Sequence, residues 1–395
     1  MRIHDSIHGY IDLDPIASKI VDTHVFQRLR YIHQTGVLYL VFPTATHTRF
    51  EHSIGTYHLA RQMMMEISKK QPELNITDEL IQLVAIAGLC HDLGHLLFSH
   101  LFDDFFLEKL EYIDDIKQQT DNYIHENRSI FLLRYAVDTY SIPLSTQQLH
   151  VIGDLINPKR ATYDKWDPSY QVGKWVFQIV SNPLNSIDVD KFDYITRDTR
   201  ETGLKIGFDY SRIISDARVI DDEICYSSQC SEDIYHMFFI RYRLHRQIYN
   251  HKAVKAFEIL FVKLLFELEK EFHISSYLID AEKMIELTDH FVFYPRKQQT
   301  VTAILRDIQT RKLPKMIYQQ LSLHEITDRD IPDEYKHVRG TVIKFKVGYV
   351  GGGNNPLSNI HFYHFKNKKL ITIEQPFSLL INQNHQEHFY RIYST

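Results

Sequence analysis

The chain has 395 residues with 44% apolar types, and its 45 basic and 50 acidic side chains leave a formal charge of −5. That bounds it to one large or two ordinary globular domains with ample core, and with only 14 Gly and 12 Pro it excludes long collagenous, linker-like or disordered regions. Slight acidity counts against a duplex-DNA binder, the apolar stretch Leu83 to Cys90 is far too short to span a membrane, and three cysteines without a CxxC spacing point to a reducing compartment rather than a thiolate zinc site.

From about Asp14 to Lys270 apolar residues recur at three- and four-residue spacing with few strand signals, the pattern of an all-α block. Gly55 to Lys69 and Asp78 to Phe106 read as helices, the second opening after the turn-like Ile76-Thr77. Phe177 to Arg200 and Ser231 to Leu268 predict two more helical stretches, the latter a long one. After about Asp280 the texture changes. His337 to Val350 alternates and is β-branched, the glycine turn Gly351-Gly352-Gly353-Asn354-Asn355-Pro356 follows, and then come Asn359 to Lys366 and Lys369 to Ile373. The expected architecture is mainly α, with a helical core over residues 1–275 and a smaller C-terminal α/β lobe of hairpins over 276–395, closed by a helix near Pro376 to Tyr393. In that lobe Lys344 and Lys346 read as the charged protection of an edge strand.

Histidine is out of line: 23 occur, and 11 of them (His4, 8, 24, 33, 47, 52, 58, 91, 95, 100 and 125) fall in the first 125 residues. Histidine is the commonest metal ligand and the usual acid/base near neutral pH, so the asymmetry points to where chemistry sits. The sharpest local feature is Cys90-His91-Asp92-Leu93-Gly94-His95-Leu96-Leu97-Phe98-Ser99-His100, at the end of an apolar helical run. Burying an adjacent His and Asp costs several kcal/mol unless a bound cation or an equivalent partner compensates. Two further ligands present themselves, His52 before a helix and Asp190 in Ile187-Asp188-Val189-Asp190. Two imidazoles and two carboxylates form a hard-to-borderline set suited to Mn, Fe, Mg, Ni or Zn. Spacing alone leaves open that Asp188 and Asp190 cap a helix and that His52 fills a polar niche.

The H…HD…D order is similar to that of the HD-domain phosphohydrolase superfamily. More closely, Asp5-Ser6-Ile7-His8-Gly9, Phe26-Gln27-Arg28-Leu29-Arg30-Tyr31-Ile32, Val41-Phe42-Pro43, Arg49-Phe50-Glu51-His52-Ser53, Ala87 to His95, Asp188-Val189-Asp190-Lys191 and Tyr249-Asn250-His251-Lys252 resemble the sterile-alpha-motif and HD-domain deoxynucleoside triphosphate triphosphohydrolases. The resemblance runs almost without gaps to about Lys252 and more loosely to the C-terminus. It implies an HD-domain fold and a divalent-metal-activated water attacking the α-phosphate of a dNTP, releasing deoxynucleoside and inorganic triphosphate.

Carried over by position, the resemblance makes His52, His91, Asp92 and Asp190 the metal ligands and His95, His100, Asp103 and His125 the reacting shell. His100 is then an acid oriented by Asp103, while His95 and His125 contact phosphates. Arg49, Lys191 and Arg241 neutralise the triphosphate, Tyr194 and Tyr249 exclude a ribose 2′-hydroxyl, and Gln34 and Asp198 hold the 3′-OH. His245 and Asn250 complete the substrate-binding set. The family's activating nucleotides imply Asp22, Gln27 and Arg30 at one effector site and Arg212, Lys252, Arg311 and Lys315 at a second, with a homo-oligomer, dimer or tetramer, assembled around them.

Departures from the pattern change those expectations. The sequence starts at the first family motif, so no sterile-alpha-motif domain is expected in it. Met1 stands where the family has a lysine, His4 where it has an asparagine, and Val219 to Ile240 holds no Lys or Arg. Losing charge-assisted phosphate contacts worth roughly 1.5 to 3 kcal/mol each weakens the second effector site by orders of magnitude, so GTP-type activation is expected to be altered or absent. Two other functions compete with the triphosphohydrolase: an HD phosphodiesterase or nucleotidase on another phosphate ester, and a nucleotide- or single-stranded nucleic-acid-binding module without catalysis. Nucleic acid is the less favoured partner. Met1-Arg2-Ile3-His4-Asp5 opens no secretory signal, and the protein is expected to be soluble and intracellular, in cytoplasm or nucleus, with no membrane partner.

Overall fold

The computed structural model of the chain describes residues 1–158, 173–294, 298–336, 338–350, 352–371 and 384–394. A short hairpin, β1 (Arg2–Asp5) with β2 (Gly9–Asp12), leads into a mainly helical body. The helix Arg49–Lys70 starts at a capping box of Thr48 and Glu51, with Glu51 Oε2 accepting the Thr48 N–H at 3.0 Å. The helix Asp78–Cys90 starts where Thr77 accepts the Leu80 N–H at 3.2 Å, and every residue from Leu83 to Cys90 is buried. These two helices lie close because Gly88 has no side chain: a Cβ there would stand 2.9 Å from the Thr56 carbonyl oxygen. The helices His125–Tyr140, Thr146–Ile156, Val189–Glu201, Ser231–Arg243 and Lys252–Phe272 surround this pair. One apolar core gathers residues from Ile11 to Phe362.

Two sheets lie outside the helices. β3 (Arg218–Ile220), β4 (Glu223–Ser227), β7 (Phe362–Tyr363) and β8 (Leu370–Ile371) pair in that order, with β4 and β7 parallel. β5 (Met316–Ser322), β9 (Gln386–Ser394) and β6 (Gly340–Gly348) form an antiparallel sheet with β9 in the middle. Among the described residues β6 is therefore an edge strand, and its Lys344 and Lys346 are exposed. Among the described residues no helix is long and apolar enough to cross a membrane.

Four expectations about elements need correction. The expected helix Asp78 to Phe106 stops at Cys90. Phe98 and Ser99 adopt left-handed backbone (φ 56° and 57°), and the chain resumes as a π-helix over Leu101–Phe106. The long stretch from Ser231 is interrupted by a second π-helix, Leu244–Tyr249, and by a break where the Asn250 side chain turns back onto the His245 carbonyl at 2.8 Å. Within Phe177 to Arg200 only the part from Val189 is α-helical, because Asn182 and Asn185 side chains take up backbone N–H groups of Leu184 and Ile187. The closing helix is also absent from the described part of its range: Gln386–Ser394 is the central strand β9, and residues 376–383 lie outside the described residues.

Candidate functional site

Three helices and the turn after one of them bring four ligand-type side chains to a single point. His52 comes from the first turn of Arg49–Lys70, His91 and Asp92 follow the end of Asp78–Cys90, and Asp190 lies in the first turn of Val189–Glu201. Asp190 Oδ1 is 3.0 Å from His52 Nε2 and 3.4 Å from His91 Nε2. The two Asp92 oxygens approach the same nitrogens at 3.4 and 3.5 Å. Both Nε2 atoms are buried and neither has a hydrogen-bond partner. Orphaned imidazole nitrogens facing two carboxylates fit a divalent cation, which would take up lone pairs that nothing among the described residues satisfies.

The other nitrogen of each imidazole is fixed. His91 Nδ1 donates to the Gly88 carbonyl at 2.8 Å, and His52 Nδ1 donates to Asp193 Oδ2 at 2.8 Å. Asp193 also accepts from His8 Nε2 at 2.6 Å and from Arg197 Nε and Nη2, both at 2.9 Å, and Arg197 continues to Asp5 at 2.9 Å. These bonds set the tautomers that turn Nε2 toward the cluster. Gly55 makes room for this network, since a Cβ there would stand 1.9 Å from Asp193 Oδ1. Burial opposes a proton on His52, yet the approach of Asp190 and Asp193 and the charge of Asp92 raise its pKa to about 10. Against the opposing effect of burial, Arg49 and the neighbouring histidines hold Asp92 well below the usual carboxylate range. The pocket is thus built to stabilise positive charge.

The turn carrying Asp92 is clasped by two fully buried arginines. Arg28 donates to the Leu93 and His95 carbonyls, the second at 3.0 Å, and Arg128 Nε donates to the Gly94 carbonyl at 2.7 Å. His95, stacked on His125 with ring centroids 4.1 Å apart, has its Nε2 3.3 Å from Asp92 Oδ1. Burial pushes both rings well below the ordinary histidine range. Arg49 and His125 add to the effect on His95, and His100 and Arg128 to that on His125. His100 packs edge-on to His95 at 5.0 Å and is 60% exposed.

The expected pairing of His100 with Asp103 is corrected here. Asp103 turns inward, where Oδ1 takes Arg128 Nη2 at 2.5 Å and the unpartnered Oδ2 lies 3.8 Å from both His95 Nδ1 and His125 Nδ1. The carboxylate 3.8 Å from His100 is Asp104. Arg49 is expected to help neutralise a triphosphate. It is buried and occupied by Asp92 (2.5 Å), Ser99 Oγ (3.0 Å) and the Gln34 carbonyl (3.2 Å).

The HD domain family matches residues 49–134, which hold three of the four clustered side chains. An HD domain-containing protein of Acanthamoeba polyphaga mimivirus is 33% identical over 98% of this chain and 91% of its own length. The deoxynucleoside triphosphate triphosphohydrolase SAMHD1 of Mus musculus is 31% identical over 99% of the chain and 68% of its own length. The chain belongs to the HD-domain deoxynucleoside triphosphate triphosphohydrolase family. A SAMHD1 homolog of Dictyostelium discoideum is 34% identical over 86% of the chain, which covers 60% of that relative.

The remaining positions suggested by this family fall into two groups. Beside the cluster, Asp198 accepts from His47 Nε2 at 2.6 Å and from the Tyr249 hydroxyl, and burial with Asp198 keeps that hydroxyl protonated. The Gln34 side-chain oxygen is buried without a partner. Lys191 Nζ reaches Asp188 at 3.0 Å, and Arg241 acts electrostatically on Lys191, Tyr194 and His245 while donating to the Gly348 carbonyl at 3.3 Å. Asn250 is spent on the helix end described above. In the second group, Asp22, Gln27 and Arg30 line a cavity of about 390 Å³ together with Met1 and His4, and Arg30 lies 3.5 Å over the Phe50 ring. Arg212 faces Asp233 at 3.7 Å, Arg311 donates to the Leu40 carbonyl at 2.7 Å, Lys252 starts its helix, and the Lys315 N–H donates to Ser394 Oγ at 2.9 Å.

Sequence reasoning missed Asp193, Arg28, Arg128 and His47. Asp193 stands three residues after Asp190 on the same helix, one turn along, and that spacing was the available signal. The two arginines carry no local signal, because the carbonyls of the turn that they clasp lie 34 to 67 residues away.

Proposed function

We propose that the protein hydrolyses dNTPs at the α-phosphate, releasing deoxynucleoside and inorganic triphosphate, with a divalent metal held by His52, His91, Asp92 and Asp190. The observation that carries this reading is the pair of buried, unpartnered Nε2 atoms of His52 and His91 facing Asp92 and Asp190. The cation would supply Lewis acidity at the phosphoryl group. Attack of water on the α-phosphorus leaves the electron pair of the broken P–O bond on the 5′-oxygen, which then needs a proton. His100 suits the donor role, because it adjoins His95 and has the solvent access needed to be reprotonated. His95 and His125, neutral at physiological pH, suit N–H donation to phosphate oxygens, with the Asp103 carboxylate 3.8 Å from both rings. Lys191 and Arg241 add positive charge beside Tyr194. Tyr194 and Tyr249 would exclude a ribose hydroxyl, with Gln34 and Asp198 on the 3′-OH.

The test is to incubate the protein with each dNTP and rNTP and either Mg or Mn, then resolve triphosphate from pyrophosphate. Intact triphosphate from dNTPs is expected, and pyrophosphate or orthophosphate as the first product overturns the reading. In the same reading GTP dependence is altered or lost, since Met1 and His4 line the cavity at Asp22, Gln27 and Arg30. Hydrolysis of dTTP that strictly requires added GTP overturns that part.

A further inference from the structure

Asp289 is a buried carboxylate that touches none of the reacting groups, yet both of its oxygens are committed to the backbone around them. Oδ2 accepts the His33 N–H at 2.9 Å and His33 Nδ1–H at 2.6 Å, and Oδ1 accepts the Phe98 N–H at 2.6 Å. One side chain therefore joins the segment before Gln34 to the turn after His95. The two segments are in close backbone contact, since a Cβ on Gly36 would stand 2.9 Å from the Phe98 carbonyl oxygen. Phe98 and Ser99 both hold left-handed backbone, a conformation that non-glycine residues keep only where the surroundings impose it. The Ser99 hydroxyl donates to the His33 carbonyl at 2.9 Å and accepts Arg49 Nε at 3.0 Å. Arg49 in turn grips Asp92 Oδ2 at 2.5 Å.

We propose that Asp289 is a positioning residue for the metal centre: by pinning His33 and Phe98 it places Ser99, through Ser99 the Arg49 guanidinium, and through Arg49 the Asp92 carboxylate. The inference rests on the metal reading given above. Asparagine cannot replace the aspartate, because its amide offers one acceptor oxygen where three N–H groups on two segments need two. Ser99→Ala cuts the relay at its far end by removing a single hydroxyl.

The experiment is Mn²⁺ titration of the full chain, with free ion read by electron paramagnetic resonance and folding checked by thermal melting, for wild type, Asp289→Asn, Ser99→Ala and the double variant. Outer groups that orient metal ligands typically control affinity by about 10- to 100-fold, so each single variant is expected to raise the Mn²⁺ Kd about tenfold. The double variant is expected to bind no more weakly than the worse single one, because both break one chain of contacts. A merely structural role lowers the melting temperature and leaves the Kd of the folded protein alone. Either single variant binding within twofold of wild type overturns the relay, as does a double variant in which the two losses multiply. Ser99→Ala decides the matter even if Asp289→Asn does not fold. Wild-type protein that binds no Mn²⁺ overturns the metal reading and the relay with it, whereas tight wild-type binding with unchanged variants overturns the relay alone.

Discussion

Replacing Gly94 by alanine should disable catalysis by displacing His125. Gly94 lies between Asp92 and His95, its N–H donates to Ser129 Oγ at 2.8 Å, and its carbonyl accepts Arg128. A Cβ at this position would stand 2.1 Å from the His125 carbonyl oxygen and 2.4 Å from the Ser129 nitrogen. Both are backbone atoms of the helix His125–Tyr140, so no flexible side chain can yield. To restore ordinary contact at 3.4 Å the helix start must retreat by about 1.3 Å, carrying His125 with it. Overpacking of this kind costs about 1 to 3 kcal/mol of stability. A misplacement of about 1 Å in a catalytic constellation costs on the order of 100-fold in rate. His91 and Asp92 share this turn, and Ser129 Oγ donates to the His91 carbonyl at 2.6 Å, so the Mn²⁺ Kd should rise as well, by about 10-fold. The assay is steady-state release of triphosphate from dATP, with Mn²⁺ binding measured in parallel. Gly207→Ala serves as control, since a Cβ there meets nothing within 4 Å. A Gly94→Ala enzyme with wild-type kcat would falsify the reasoning.

Three further outcomes are expected. Asp193→Asn leaves only one acceptor oxygen for four donors, so the Mn²⁺ Kd should rise about 10- to 100-fold, and an unchanged Kd in folded protein counts against a ligand-orienting role. Burial and the neighbouring His8 push the His58 pKa down to about 4, against about 6.5 in the unfolded chain. The unfolded state therefore takes up the proton between those values, and stability that is complete above pH 6.5 is lost on acidification toward 4, at up to about 1.4 kcal/mol per pH unit. Urea midpoints at pH 7.5 and 5.0 should fall less for His58→Gln than for wild type, and equal falls refute the assignment. Tyr249→Ala should raise ATP hydrolysis relative to dATP at least about tenfold, while Tyr249→Phe stays near wild type, as ring volume rather than the hydroxyl excludes ribose. A competition assay in which the two variants behave alike removes Tyr249 from sugar selection.

The His91-Asp92 pair was legible in the sequence because it is chemically rare where it stands, whereas spacing left open helix capping for Asp190 and a polar niche for His52, and the resemblance supplied the set of four. His91 and Asp92 end an apolar helix, and the order of His52, His91, Asp92 and Asp190 survives folding. What surrounds the cluster was less legible wherever distant groups decide local geometry. The left-handed turn at Phe98 and Ser99 is held by Asp289, 191 residues from Phe98, so nothing local marks the break in the expected helix. His100 and Asp103 were paired through the family resemblance, but Leu101–Phe106 is wound as a π-helix, and its wider turn brings Asp104 beside His100 instead. In β9, pairing with strands on both sides overrides whatever helical pattern the C-terminal segment carries.

The second π-helix bears on what kinds of change this chain can accept. A four-residue step along an α-helix overshoots a full turn by about 40°, so over eight residues Tyr249 would drift about 80° from the face of Arg241. The wider winding of Leu244–Tyr249 takes back that drift, and Arg241, His245 and Tyr249 share one wall of the site. Substitutions within the stretch leave the winding intact. Loss of a single residue would return it to α geometry and rotate the whole of Lys252–Phe272 by about 100° against its neighbours. Among descendants of this sequence the length between Arg241 and Lys252 should therefore be far more constant than the residues that fill it.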